Sequence, residues 1–264
     1  MRFNPGRALL WGAVAVILAF LFVPVAIIIL YAFSASNIQG WPIQAFSLKW
    51  FAATLADGEV RSALWLSIEV AVVATALAML MGLLAALAVH RLRGPASEAI
   101  AFAVVLPIAL PGILTGMALN SYFVLWGINL SFWTIIVGHA TFCTVIVYNN
   151  VIARLRRLPT SWAEASADLG AGPWRTFRLV TLPMIGSALG AGALLAFALS
   201  FDEVIVTTFT AGAQTTLPLW IFGAIRLGQH LPEVNVVVFV VIALTIVPVL
   251  LAQRLMGRAA LLHK

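Results

Sequence analysis

"EASADLGAGPWRTFRLVTLP", residues 164 to 183, is the stretch on which the reading of this chain turns. It holds two acids, two arginines, two prolines and two glycines, yet it lies between long apolar runs. Ser161 and Glu164 have the S-x-x-E spacing of a capping box, so a helix is expected to begin near Trp162. Gly170 can end that helix in the left-handed conformation. Gly172-Pro173 then opens a second short helix with proline at its first position, and Leu182-Pro183 starts the next long one. Trp162, Ala165 and Leu169 recur at helical spacing, while Glu164 and Asp168 lie four apart on another face. Like charges at that spacing cost roughly a few tenths of a kcal/mol, and isolated helices this short are marginal in water. Either the helix ends beneath it or a partner protein must hold this one.

The surroundings of the stretch set its context. The chain of 264 residues is 63% hydrophobic and 9% charged, against about 25% charged in soluble domains. So much apolar surface needs a bilayer as solvent. Runs long enough to span one as helices, about 20 residues each, lie near 9–33, 63–89, 99–124, 132–153, 184–208 and 234–256. They do not alternate apolar with polar, as barrel strands would. Arg2 and Arg7 precede the first run, which is too long for the apolar core of a secretory signal, so a retained helix is expected. The expectation is one all-α integral membrane domain, residues 1–264, of six transmembrane helices, with a polar loop over 154–183.

Basic residues orient the spans. With the N-terminus inside, Arg2, Arg7, Arg91, Arg93, Arg154, Arg156, Arg157, Arg175, Arg178, Arg254, Arg258 and Lys264 face the cytoplasm, and only Lys49, Arg61 and Arg226 face out. Both termini are then cytoplasmic, and so is the loop 154–183, which runs along the membrane rather than through it. The net charge of +6 follows from this topology. The basic residues are scattered over loops, which gives no footprint for nucleic acid. The lone Cys143 cannot form an intrachain disulfide, and no metal-ligand spacing is present.

The pattern Glu164-Ala165, Gly170, then nine residues, then Val180-x-Leu182-Pro183 resembles the EAA loop of ABC importer permeases. Ser166 stands where a second alanine is usual, and Val180 where isoleucine is common. The resemblance implies a type I importer permease fold in a bacterial inner membrane. It also implies that the short helix is a coupling helix docking on a cytoplasmic ATPase dimer, with Trp162, Glu164, Ala165, Asp168, Gly170 and Pro183 as the coupling residues. ATP and Mg would be used by that partner and no cofactor would be bound by this chain. Its only lysines, Lys49 and Lys264, do not follow glycine, so no P-loop is present. A periplasmic substrate-binding protein, a second homologous permease and membrane lipids complete the implied partners.

"SFDEVIVTTFTAG" (200–212) and "TLPLWIFGAIRLGQHLPEVN" (216–235) are similar to the second permease subunit of spermidine/putrescine importers. Permeases for phosphonates, ferric iron, opines and other small solutes share much of this pattern. Asp57, Glu59, Glu69, Asp202, Glu203 and Glu233 outnumber the outward bases and leave a negative outer side. Such a mouth concentrates a polyamine, although the positive-inside rule alone also removes bases from that side.

Four residues stand as candidates for the substrate path. Glu69 sits inside the second expected span, where ionisable groups are costly and often functional. It reads either as a carboxylate on the path or as a helix-end group reaching water or Arg61. Asp202 and Glu203 lie near the outer end of the fifth span and could line the path, meet the binding protein or be ordinary helix-end charges. Pro107, Pro111, Gly112 and Gly116 predict a kink in the third span beside a cavity or in plain packing. Gly186 and Gly190 form a small-xxx-small pair for close packing, within the chain or against a second permease. His139 reads as a packed, hydrogen-bonded group rather than a proton relay, and Trp41, Trp50, Trp126, Trp133 and Trp220 as an interfacial belt. An ion-coupled secondary transporter would need more intramembrane acids and inverted repeats. An intramembrane enzyme would need a nucleophile or metal constellation. Neither accounts for residues 164–183.

Overall fold

The computed structural model describes residues 5–92, 94–159 and 161–245. The helices are α1 Pro5–Ala32, α2 Lys49–Ala56, α3 Gly58–Arg91, α4 Pro95–Ala109, α5 Gly112–Leu125, α6 Phe132–Leu155, α7 Ser161–Asp168, α8 Pro173–Thr176, α9 Leu182–Phe201, α10 Ile205–Thr210 and α11 Leu217–Leu227. A further helix, α12, covers Leu231–Thr245. Contacts divide the chain into two compact units. One comprises the chain up to Arg61 together with the chain from Ile221, and the other is Ser62–Trp220.

In the first unit an extended loop follows α1. It folds back through Ala35 N–H to Ala45 O and Ser47 N–H to Phe33 O, at 2.9 and 2.8 Å. The rings of Phe33, Phe51 and Phe239 pack edge to face or tilted, with centroids 5.1 to 5.6 Å apart. This is the favoured geometry for aromatic rings, whose negative faces attract positive edges.

The second unit is organised around α6, which is buried along most of its length. It packs most extensively on α9, and the pairs fall in antiparallel register. His139 meets Ser200, Cys143 meets the Ala196 carbonyl, and Val147 meets Gly192. Glycine makes these crossings close. A Cβ at Gly82 in α3 would stand 2.8 Å from Val147 Cβ and 2.9 Å from the Thr144 carbonyl, so α3 and α6 touch backbone to backbone there.

Among the described residues, four helices are long and apolar enough to cross a membrane: Leu9–Ala32, Gly58–Arg91, Phe132–Leu155 and Pro173–Phe201. They cover the first, second, fourth and fifth expected spans. The third expected span, 99–124, is not a kinked helix but two helices bent by 105°. Pro111 has no N–H to continue α4, and its ring forces the preceding residue out of the helical region. Leu110 is accordingly extended, with ψ 142°. The fifth expected span, 184–208, also departs from expectation. It stops at Phe201 and resumes at Ile205 as the separate helix α10. Of the sixth, 234–256, residues up to 245 lie in α12 and the rest lie outside the described residues, as do Arg2, Arg93, Arg254, Arg258 and Lys264.

Candidate functional site

The polar loop forms a rigid two-helix turn. α7 begins at Ser161, one residue ahead of the expected start, with residue 160 outside the described set. Its end is as expected: Gly170 has φ +77°. The Ala171 N–H donates to Ser166 O at 3.1 Å and the Gly170 N–H to Ala167 O at 2.8 Å. This is the Schellman pairing, which satisfies carbonyls that the helix leaves orphaned. Gly172 then caps α8 with Pro173 at its start.

The sequence reading starts the fifth span at Leu182-Pro183, directly after the second short helix, and the structure makes the two continuous. Residues 173–201 form one continuous helical rod, with a π turn over Phe177–Thr181. Pro183 accounts for this turn. A proline cannot donate to the carbonyl four residues back and collides with it in a regular helix. A π turn, bonding Leu182 N–H to Phe177 O, widens the rod just before the ring. Any push on α7 therefore passes through one tight turn into an unbroken helix.

Side chains reinforce the turn. The Ser166 and Thr176 hydroxyls meet at 2.9 Å and tie α7 to α8, so the residue that departs from the usual alanine has a bonding role here. We expect Ser166→Ala to loosen the turn by about 1 kcal/mol, the net worth of one hydrogen bond. Slower hydrogen–deuterium exchange of residues 164–176 in the wild type than in the variant is the measurable consequence.

Between α7, α8 and the ends of α3 and α6 lies a cleft of about 520 Å³, lined in part by His90, Arg91, Trp162, Glu164 and Phe177. Of the expected coupling residues, Trp162 and Glu164 line it. Ala165, Asp168 and Gly170 are exposed elsewhere on the loop, and Pro183 sits in the first turn of α9. Leu169 is 89% exposed and Trp174 71%. Large apolar side chains left bare on a polar loop are available to a protein partner or to the membrane surface. Trp174, absent from the expected set, shares this exposure.

The second part of the site is formed by the two helix breaks, which face each other. A Cβ at Gly112, just after the α4–α5 break, would lie 3.7 Å from Ile205, just after the α9–α10 break. The break at Pro111 is thereby brought near the break that holds Asp202 and Glu203. Along α5, Gly112, Gly116 and Asn120 are four apart and receive α10. A Cβ at Gly116 would stand 2.6 Å from the Phe209 ring, and Asn120 Nδ2 donates to Phe209 O at 2.7 Å. The Thr134 hydroxyl stands 2.7 Å from both the Thr210 and the Ser131 carbonyls and shares its one proton between them. At the other end of α10, the Glu203 carboxylate accepts the Val206 N–H at 2.9 Å. Both ends of a six-residue helix are thus satisfied by side chains. Interrupted backbone is tolerated at membrane depth only on such terms.

The chemistry of the break favours a cation. The last turn of α9 carries the negative end of the helix dipole, even though the Ala198 and Ser200 carbonyls accept the N–H groups of Asp202 and Glu203. Asp202 sits there, exposed, at the C-cap. Among the described residues no basic side chain lies within ion-pair distance of Asp202, Glu203 or Glu69. Glu203 is partly committed to capping α10. Glu69 is exposed on α3, on the face that also bears Trp65, Val72 and Leu80. Asn120, Thr134, Ser200 and Thr207 were not among the expected residues. They act through bonds that span 61 to 89 positions, and such bonds leave no local trace in a sequence.

Long apolar helices, a polar lever running into one of them, and paired breaks held by polar side chains together define a membrane transport subunit. The chain belongs to the family of binding-protein-dependent transport system inner membrane components, whose model matches residues 78–260. It is 34% identical over 263 residues to the putrescine transport system permease protein PotI of Escherichia coli K12, covering 94% of this chain and 92% of that one. It is 32% identical over 249 residues to the spermidine/putrescine transport system permease protein PotC of the same organism, covering 94% of each. Its fold matches a chain from the crystal structure of a bacterial ABC transporter involved in the import of the acidic polysaccharide alginate. That match has a TM-score of 0.69 at 16% identity and covers 96% of this chain and 99% of the other. The protein is therefore a multi-pass inner-membrane transport subunit of the type I permease fold. Such subunits are not themselves enzymes and work with an ATPase and a substrate-binding protein.

Proposed function

We propose that this chain is one of two permeases of an ATP-driven polyamine importer, in which the facing breaks at 110–112 and 202–204 line part of the substrate path. The supporting observation is the Asp202 carboxylate at the C-terminal end of a broken helix, without an ion-pair partner among the described residues, in a chain similar over 94% of its length to putrescine and spermidine permeases. A polyamine carries ammonium groups, and a helix C-terminus with a carboxylate is their complement. Glu203 shapes the break, and Glu69 stands as a further carboxylate toward the path or toward the second permease.

In this reading α7 docks on a cytoplasmic ATPase dimer through Trp162, Glu164, Ala165 and Asp168. Gly170 gives the left-handed turn, and Pro183 the π turn that makes the lever continuous with α9. The loop 154–183 and both termini face the cytoplasm, on the strength of where the basic residues fall. A periplasmic binding protein delivers substrate to the opposite face, and ATP-driven closure of the ATPases rocks the paired permeases, with the whole chain working as one membrane domain.

Uptake of labelled putrescine, spermidine and an anionic phosphonate by the complete importer in proteoliposomes tests the substrate. We expect the two polyamines to be carried, and a preference for the anion overturns the reading. Asp202→Asn removes the charge and keeps the shape. We expect it to raise the half-saturating putrescine concentration by roughly tenfold or more, the loss of one charge-assisted hydrogen bond.

A further inference from the structure

We propose that His139 is a positioning residue for the α9–α10 break: its imidazole clasps the last turn of α9 to the first turn of α10 and so sets where the Asp202 carboxylate stands. The transport consequence rests on Asp202 lying on the substrate path; the clasp itself stands on geometry alone.

His139 lies in α6 and is 1% exposed. Its Nδ1 is 2.8 Å from Ser200 Oγ, in the last turn of α9, and its Nε2 is 2.8 Å from Thr207 Oγ1, in the first turn of α10. Both hydroxyls are buried. The direction of the bonds follows from counting protons. Thr207 has one hydroxyl proton and gives it to the Glu203 carbonyl at 2.7 Å. Its oxygen must then accept from His139, so the ring proton sits on Nε2. Nδ1 of the neutral ring is left as an acceptor, and the Ser200 hydroxyl donates to it. The result is one directed chain: Ser200 to His139 to Thr207 to the Glu203 carbonyl. Every member is satisfied, and bonds aligned in this way strengthen one another.

The clasp brackets the break. Ser200 is two residues before Asp202, and Thr207 bonds back to Glu203, the residue after it. The imidazole thus fixes both margins of the segment that carries Asp202. One turn along α6, Cys143 Sγ meets the Ala196 carbonyl at 3.3 Å and holds α9 in the same register. A purely space-filling histidine would need neither hydroxyl.

Two substitutions at Thr207 separate the two cases. Thr207→Val keeps the volume and loses the hydroxyl, whereas Thr207→Ser keeps the hydroxyl and loses a methyl. Each is combined with Asp202→Cys in the complete importer, and the rate of labelling at position 202 by a water-soluble maleimide is measured. Cys143 is buried, so its background labelling is low. Loss of the directed chain should change the labelling rate about fivefold with Thr207→Val and less than about twofold with Thr207→Ser. If the two variants shift labelling equally, or the serine variant shifts it more, packing alone holds the break and the clasp is overturned. The same pair with Asp202 intact is then assayed for uptake of labelled putrescine. A raised half-saturating concentration with the maximal rate retained, in Thr207→Val only, supports positioning. A labelling shift without any change in half-saturation keeps the clasp and removes Asp202 from the path, so the two failures are told apart.

Discussion

Glu164→Arg is expected to abolish ATP-driven uptake while the variant chain is recovered in normal yield with its full helix content. Glu164 is exposed in the first turn of α7, where an acid suits the positive end of the helix dipole, and reversing its charge there costs α7 alone about 1 kcal/mol. None of the long helices depends on it. At a docking surface the same reversal has a far larger effect. Breaking a close charged contact between proteins costs about 2–5 kcal/mol, which is a loss of roughly thirtyfold or more in affinity. Uptake in proteoliposomes and the amount of ATPase that copurifies should fall together. Normal uptake with normal assembly would remove α7 from the coupling role.

Gly82→Leu has the largest expected effect on the fold. The added side chain must occupy space where even its Cβ lies 2.8 to 2.9 Å from Val147 Cβ, the Thr144 carbonyl and the Tyr148 nitrogen of α6. Two of these are backbone atoms of the most buried helix, so neither can swing aside. Overpacking of this kind costs about 1–3 kcal/mol even where side chains can adjust, and more when two helix backbones must part. The expected result is loss of monodisperse protein in detergent. Gly186→Ala is the control: no atom outside its own neighbourhood lies within 4 Å of the added carbon. It should leave the yield and thermal stability of the chain unchanged, and equal damage from both substitutions would contradict the packing described for α3 on α6.

Much of this architecture is written in run lengths. α1, α3 and α6 follow from uninterrupted apolar stretches, and the turn at Gly170 follows from a residue type that alone adopts φ +77° without strain. The breaks were less visible, for two different reasons. Pro107 and Pro111 announce a disturbance in 99–124, but whether a proline kinks a helix or ends it depends on what packs against the freed backbone. Here that is α10, nearly a hundred residues further on. The interruption after Phe201 has no proline and falls inside an almost continuous apolar run. At the break itself Glu203 and His139 supply bonds that a continuous helix would have supplied itself, and Asn120 and Thr134 do so where α10 ends.

The coupling loop shows the same division. The spacing from Glu164 to Pro183 exposes the loop as a unit, and Ser166 is visible as a departure from alanine. That its hydroxyl reaches Thr176 is a matter of how the two helices fold together. The continuity of α8 with α9 was hidden because Pro183 suits the first turn of a new helix as well as it suits a π turn within an old one. Among the path candidates, sequence proximity linked Asp202 with Glu203, but only the fold brings the break at Pro111 near theirs.

The central claim is that this chain is one half of an ATP-driven permease pair. The most direct test is to tag it, extract it gently from its native membrane and identify what copurifies by mass spectrometry. The account predicts an ABC ATPase and a second, homologous permease in amounts comparable to the tagged chain. Recovery of the chain alone, reproducibly and in several mild detergents, would contradict it.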